Sequence, residues 1–394
     1  MRVGLFTNNY LPFRGGVTTA VETLRQGLEA QGHRAWVFAP AWRGPHVDPA
    51  CVFRYPSVPA PTYPGFAVPL PFSRRLSRAA LDLELDIFHA QHPFLLGVTA
   101  RRLARAQKRP LVFTYHTRYE KYAHYVPLPE RLVVSIAIRL ACRFAAAADL
   151  VVAPSARIAE SLEGQGVKAK IAVVPTGVPL DLFRPGDRGA ARRRLGLVED
   201  APLCLYVGRL DREKSVERVI EAFGSVALAV SGARLLLVGQ GSHEVALRRF
   251  AASSPAHSAI RFAGSVARED LPPYYQAADL VLMPTHELEG FGLVTVEALA
   301  CGTPVLGTPV GAIPEVLARL DSALLTDGSD ATALAAGIRR ILRRFRDQPG
   351  EQERLSRKAR SLVEKDYNWD RRSEQLETIL QAACPNFSSN RGRG

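Results

Sequence analysis

Ala277-Ala-Asp-Leu-Val-Leu-Met-Pro-Thr285 repeats, nearly residue for residue, a stretch in the other half of the chain, Ala147-Ala-Asp-Leu-Val-Val-Ala-Pro-Ser155. In each copy an alanine-rich helix is expected to end at the aspartate. A short apolar strand follows and proline stops it. Short apolar runs between turn signals recur at Val3–Thr7, Ala35–Ala39, Ile87–Ala90, Leu111–Tyr115, Ile171–Val174, Leu203–Val207, Arg234–Val238 and Val305–Gly307. These runs do not alternate with polar residues, which suits parallel strands buried on both faces. Amphipathic helical stretches lie between them, Thr18–Gln31 and Ser215–Ala227 for example. Strand and helix alternating through two similar halves predict an α/β chain of two doubly wound domains.

At 394 residues the chain suits two domains, and an apolar content of 47% supplies two cores. The seam is expected in Pro175–Gly186, rich in proline and glycine, and the basic helix after it. The domains read as 1–190 and 191–367, with a last helix at about 368–384 completing the first. The polar tail 385–394 reads as disordered. Ligands of such sheets bind at the carboxyl ends of the strands, here facing a central cleft between the domains.

Charge is uneven. Residues 1–195 hold 27 Lys and Arg against 13 Asp and Glu, and the remainder hold 24 against 25, so the net +13 resides in the first half. An anionic partner such as a membrane surface is one reading. A solvated, arginine-rich surface is the other. No nucleic-acid motif is present, so nucleic acid is not an expected partner. Five scattered cysteines without metal or redox spacing suit a reducing cytosol. The opening Met1-Arg-Val-Gly-Leu-Phe reads straight into a strand, with no signal segment expected. Val133–Pro154 is interrupted by Arg139, Arg143 and Asp149 and reads as a helix then a strand.

Chemistry concentrates at predicted strand ends. In Glu289-Gly-Phe-Gly-Leu-Val-Thr-Val-Glu297 one acid lies on a loop and the other inside a helix that stops at Gly302. Free N–H groups between two carboxylates offer donors for phosphate beside acceptors for hydroxyls, the makings of a nucleotide-sugar pocket. Two solvated acids on a strand–turn–helix unit would show the same spacing. Gly208-Arg209-Leu-Asp-Arg-Glu-Lys214 carries two cations able to neutralise a diphosphate, or simply surface charge. Paired Gly15 and Gly16 permit close approach to a diphosphate, or form a plain turn. His116 sits just after a strand among Tyr115, Tyr119, Tyr122 and His124, placed for a sugar hydroxyl or a leaving group. Pro56–Phe72, followed by Arg74, Arg75 and Arg78, suits shallow membrane contact or an ordinary long loop. Gly239-Gln-Gly241 lacks the third glycine of a dinucleotide fingerprint, and no residue set has metal-ligand spacing. Neither a cofactor nor a metal is therefore expected.

Together the Glu-x7-Glu pair, the Gly-Arg…Lys segment, the early Gly-Gly turn and the closing Tyr367-Asn-Trp369-Asp resemble the retaining GT-B glycosyltransferases of the group 1, family 4 type, from Val3 to about Ala382. The resemblance implies two Rossmann-like domains, an NDP-sugar donor held by the second and an acceptor held by the first. It implies that Glu297 binds ribose hydroxyls and Glu289 those of the donor sugar. Backbone at Phe291, Gly292, Leu293 and Val294 would meet sugar and diphosphate, with Gly239 also on the donor side. Arg209 and Lys214 would hold the diphosphate, with Gly15 and Gly16 opposite. His116 matches the active-site histidine, and backbone near Val266 would read the base.

The N-terminal motifs Phe6-Thr-Asn-Asn-Tyr-Leu-Pro and Tyr115-His-Thr-Arg-Tyr-Glu-Lys-Tyr-Ala-His-Tyr resemble those of diacylglycerol glucosyltransferases. This likeness implies UDP-glucose as donor and a membrane lipid as acceptor. It also implies acceptor contacts from Tyr10, Thr117, Tyr119, Lys121, Tyr122 and His124, and a cytoplasmic protein peripheral on the membrane. Those enzymes usually carry an acid where Asn8 stands. They often show Thr-Gln-Gly where this chain has Glu289-Gly-Phe-Gly, a form shared with mannosyl- and N-acetylglucosaminyltransferases acting on phosphoinositol, soluble sugars or polysaccharides. An NDP-sugar epimerase would share the nucleotide pocket and need no acceptor.

Overall fold

The computed structural model of the chain describes residues 1–13, 15–42, 44–60, 66–116, 129–286 and 291–384. The chain divides into two units, Met1–Thr176 with Asp370–Gly394, and Gly177–Trp369.

Strands of the first unit are β1 (Arg2–Phe6), β2 (Arg34–Pro40), β3 (Val52–Tyr55), β4 (Ser57–Pro59), β5 (Ala67–Pro69), β6 (Ile87–Ala90), β7 (Leu111–Thr114), β8 (Leu150–Ala153) and β9 (Ile171–Val173). Its helices are α1 (Gly16–Ala30), α2 (Arg74–Asp82), α3 (Leu96–Gln107), α4 (Glu130–Ala146) and α5 (Ala156–Gly164). A seven-stranded parallel sheet runs β3-β2-β1-β6-β7-β8-β9, while β4 and β5 pair antiparallel beside it. Stacked phenylalanines fill its core, Phe6 on Phe38 with ring centroids 4.4 Å apart.

The second unit comprises α6 (Arg188–Arg194), β10 (Leu203–Val207), α7 (Val216–Ala229), β11 (Arg234–Val238), α8 (Glu244–Ala252), β12 (Ile260–Gly264), α9 (Pro272–Ala277) and β13 (Leu280–Met283). It continues with α10 (Leu293–Ala300), β14 (Val305–Gly307), α11 (Ile313–Leu320), α12 (Ala331–Asp347) and α13 (Glu351–Asp366). Its parallel sheet runs β12-β11-β10-β13-β14. The chain then enters α14 (Trp369–Ala382), which joins the first unit. There the terminal ammonium of Met1 lies 3.0 Å from His33 Nδ1 and donates to it. His33 Nε2 is thereby left to donate to Glu377 of α14 at 2.9 Å.

The boundary expected at 190 lies at 176 instead. Val178 forms a bridge with Asn368, and Phe183 is fully buried in the second core, so 177–190 packs with the second unit.

The repeated Ala-Ala-Asp does the same work in both units. Asp149 N–H donates to Leu111 O at 2.9 Å, and its carboxylate accepts from Leu111 N–H at 2.8 Å. Asp279 makes the same pair of bonds with Leu203, at 2.9 and 2.7 Å. Each aspartate ties the start of its strand to the neighbouring strand and satisfies an edge amide. Each sheet also reverses strand order once, between β1 and β6 and between β10 and β13. Crevices for ligands form beyond the carboxyl ends of strands at such points.

Candidate active site

In the second unit the two strands at the reversal end in Gly208-Arg209 and in the segment that leads to α10. Pairing of β10 with β11 continues past both strands: Gly208 N–H donates to Val238 O, and Leu210 N–H to Gln240 O, each at 3.0 Å. This close approach demands glycine. Gly239 has φ of +140°, and a Cβ there would stand 1.8 Å from Gly208 O; one at Gly241 would stand 2.4 Å from the Leu210 backbone. Gly239 thus shapes the loop that presents Arg209.

Arg209 is not a solvated surface charge. Its guanidinium donates to the Asp211 carboxylate and to Glu213 Oε1, the latter at 2.8 Å. Asp211 is itself fully buried and accepts from Ser242 N–H and Oγ–H, both at 2.8 Å. Two acids therefore hold the planar guanidinium in one orientation. Lys214 closes a single 3₁₀ turn, its N–H donating to Asp211 O at 3.0 Å, just before α7.

Gly292, with φ of +81°, caps the start of α10 in a left-handed conformation that favours glycine. Phe291 is buried, 5.7 Å from the Tyr367 ring, and Leu293 and Val294 are half-buried on the first turn. Glu297 is only 4% exposed. One carboxylate oxygen accepts from Arg268 Nε at 3.0 Å and the other from the Tyr275 hydroxyl at 2.9 Å. Burial pushes its carboxyl above the ordinary glutamate range, opposed by the Arg268 charge and these hydrogen bonds. Arg268 lies over the Phe183 ring at 5.2 Å. Val266, just beyond β12, is half-buried against the core. Glu289 lies outside the described residues.

In the first unit, β1, β6 and β7 end in Thr7-Asn8, Gln91-His92 and Tyr115-His116. His116 Nε2 lies 2.7 Å from Gln91 Oε1, which only accepts, so the ring proton sits on Nε2 and Nδ1 keeps its lone pair. Desolvation by burial pushes His116 down to about 4 and His89 and His92 down to about 3. His116 is therefore neutral at pH 7. Asn8 clasps the loop behind it. Its backbone N–H donates to His92 Nδ1, its amide nitrogen to Phe94 O, and its amide oxygen accepts from Leu96 N–H, all at 3.1 Å. The last bond caps α3 across 88 residues, a task that explains an amide here, because aspartate would lose the donor to Phe94.

Gly15 precedes α1 in an extended conformation, and a Cβ on Gly16 would meet nothing within 4 Å. Packing does not require that glycine. The buried Thr18 hydroxyl in the same turn has no hydrogen-bond partner among the described residues. Tyr10, expected among acceptor contacts, is buried instead. Its hydroxyl donates to Glu22 of α1, and burial and this carboxylate push its pKa upward. Within the stretch expected as a long loop from Pro56 to Phe72, β4 and β5 pair antiparallel and Phe66 packs edge-on against Phe13 at 5.4 Å, while Phe72 stays exposed. Thr117, Tyr119, Lys121, Tyr122 and His124 lie outside the described residues, as does the tail 385–394.

Sequence reasoning did not find Arg268, Tyr275, Gln91, Asp211 or Glu213, which hold Glu297, His116 and Arg209 in place. Arg268 stands 29 residues from Glu297 and only the β12–β13 connection brings them together.

The chain is similar to known proteins along most of its length. The sequence profile described as Glycosyltransferase Family 4 matches residues 14–182, and that of Glycosyl transferases group 1 matches residues 187–362. The chain is 32% identical to the alpha-monoglucosyldiacylglycerol synthase of Streptococcus pneumoniae, over 78% of this chain and 70% of that one. It is 30% identical to the protein of the same name from Acholeplasma laidlawii, over 78% and 80% of the two chains. Among solved structures, sucrose-phosphate synthase from Thermosynechococcus elongatus superposes with a TM-score of 0.81 at 25% identity, covering 96% of this chain and 98% of that one. Anabaena HepE, solved in complex with UDP-glucose, superposes at 0.76 with 21% identity, covering 97% and 100%, and shares the fold. Two Rossmann-like units, each matched by its own profile, and relatives at 30% identity or above that transfer hexoses show the family: the chain belongs to the GT-B glycosyltransferases of group 1, family 4 type.

Proposed function

We propose that the chain transfers glucose from UDP-glucose to diacylglycerol, with retention at the anomeric carbon and without a metal ion, as a cytoplasmic protein peripheral on the membrane. The observation that carries the acceptor is the pair of curated relatives named as alpha-monoglucosyldiacylglycerol synthases, each at 30% identity or above. Support for the donor side comes from the strand ends of the second unit. When a nucleoside diphosphate departs, negative charge grows on the bridging oxygen. Arg209, Lys214 and the first N–H groups of α10 supply fixed donors and positive charge for it. Glu297 offers carboxylate lone pairs to ribose hydroxyls. On the acceptor side a neutral His116 presents Nδ1 as an acceptor toward a sugar hydroxyl. The acceptor hydroxyl loses its proton to the departing phosphate, on the face the leaving group vacates.

A second reading keeps the lipid but changes the sugar. The GDP-mannose-dependent alpha-(1-6)-phosphatidylinositol monomannoside mannosyltransferase of Mycobacterium tuberculosis is 29% identical over 96% of this chain and 98% of that one. The test is product formation from labelled UDP-glucose with and without diacylglycerol in mixed micelles, repeated with GDP-mannose. A lipid-extractable α-glucoside formed only with diacylglycerol is the expected result. Label transferred only from GDP-mannose would overturn the donor, and no lipid product from either would overturn the acceptor.

A further inference from the structure

The outer face of α4 is unlike that of a helix that only covers a sheet. Ala141, Phe144 and Ala145 turn inward, Phe144 meeting Phe113 at 5.0 Å between ring centroids. On the other side Leu132, Ile136 and Leu140 are 53%, 45% and 46% exposed. Set four residues apart, they form one stripe along a helix of 17 residues, about 25 Å long. Arg131, Arg139 and Arg143 are exposed on the same helix.

Beside the stripe, an open groove of about 560 Å³ runs between α4 and the turn after α5. Ser135, Arg139, Cys142 and Arg143 form one wall, and Gln165 and Gly166 the other. Neither Arg139 nor Arg143 makes an ion pair or side-chain hydrogen bond among the described residues. Lys168 is exposed next to the groove, whereas the α5 acids Glu160 and Glu163 do not line it.

Because β6, β7, β8 and β9 step one way across the sheet, right-handed crossovers put α3, α4 and α5 in a single layer. The α2 helix joins that layer through Arg102 Nη2, which donates to Ser77 Oγ at 3.2 Å. Phe72, 79% exposed, and Arg74, Arg75 and Arg78 lead into and along α2.

We propose that the α4–α5 groove binds the phosphate headgroup of an anionic phospholipid while Leu132, Ile136 and Leu140 enter the bilayer interface beside it. The choice of occupant follows from charge complementarity. Two unpaired guanidiniums fit a phosphate, and an apolar stripe alongside fits the acyl boundary to which that phosphate is attached. The proposal rests on the acceptor being a membrane lipid and names the surface that brings the first unit to it.

Co-sedimentation with vesicles of phosphatidylglycerol and phosphatidylcholine, against phosphatidylcholine alone, tests it. The parent protein should favour anionic vesicles by at least about tenfold. Arg139→Ser with Arg143→Ser should abolish that preference, and Leu132→Ser with Ile136→Ser should weaken binding to both kinds. Either variant binding like the parent overturns the proposal. So does a parent dimer that the Leu132→Ser, Ile136→Ser variant converts to monomer in sedimentation velocity, since the stripe would then face a second copy. Transfer from UDP-glucose to a short-chain, water-soluble diacylglycerol without vesicles separates the two ideas. Both variants should keep the parent's rate there. If the parent itself makes no product on that substrate, the acceptor reading fails while vesicle binding still decides the docking surface.

Discussion

Replacing Arg268 with methionine removes the charge beside Glu297 but keeps most of the side-chain length. Glu297 is 5% exposed and Arg268 23% by side chain, so the pair is shielded from water. Removing one partner of a buried pair costs about 3–5 kcal/mol, because the surviving charge is stranded. Tyr275 would still donate to the carboxylate, which puts the expected loss near the lower figure at pH 8. The pH dependence follows from the raised pKa of Glu297. A carboxyl raised by burial favours the fold while protonated, so its contribution is full below the unfolded pKa and is lost as pH rises through the folded value. Without Arg268 that folded value climbs further, and the variant should recover much of its deficit on going from pH 8 to pH 5. With an m-value of about 2 kcal/mol/M, the urea midpoint at pH 8 should fall by about 1.5 M. Hydrogen exchange of α10 amides across a urea series reads the second unit by itself. Adding Glu297→Gln to the variant should restore at least about half of the loss, since an amide needs no counter-charge. A loss below about 1 kcal/mol at pH 8, or the same loss at both pH values, would refute the argument.

Other consequences are open to test. Lys214→Ala should lower turnover at least about a hundredfold with an unchanged circular dichroism spectrum, the cost of removing one cation from a developing phosphate charge; near-normal turnover would take Lys214 out of the site. His89, His92 and His116 are all pushed well below 6.5 by burial, so the unfolded chain binds more protons between about pH 6.5 and 4. Stability of the first unit should therefore fall through that window as pH drops, by up to about 1.4 kcal/mol per pH unit for each histidine, and melting curves at pH 7.5 and 5 would show it. The rate profile should also lack an inflection near pH 6.5 from His116. Gly239→Ala should destabilise the second unit by about 2–5 kcal/mol through positive φ and the clash with Gly208 O, measured by urea unfolding.

Much of the fold was legible because central parallel strands are apolar on both faces. Ile87–Ala90, Leu203–Val207 and Arg234–Val238, each with a neighbour on both sides, fall where their apolar runs stand. Four strands escaped: Ser57–Pro59 and Ala67–Pro69, which pair only with each other, and Val52–Tyr55 and Ile260–Gly264, which each end a parallel sheet and carry an arginine, Arg54 and Arg261. An edge strand needs only one buried face, so its run is broken by polar residues and loses the signal. The early Gly-Gly turn and the Gly-Arg…Lys segment were legible for a different reason. The second follows β10 directly and the first opens α1, so backbone approach and charge there are local properties of the chain.

From the sequence alone came two doubly wound domains, a repeated aspartate at a strand start in each, and the residue types proposed to face a nucleotide sugar. Tertiary structure alone decided how those residues are held. Arg268 and Tyr275 reach Glu297 from 29 and 22 positions away, Gln91 reaches His116 from 25, and Asn8 caps α3 from 88. It also turned Tyr10 inward onto Glu22 and left the α4 stripe outside. Periodicity reports which face of an element is apolar, but hydrogen-bond partners and burial are set by which strands become neighbours, and in a parallel sheet those are distant in the chain.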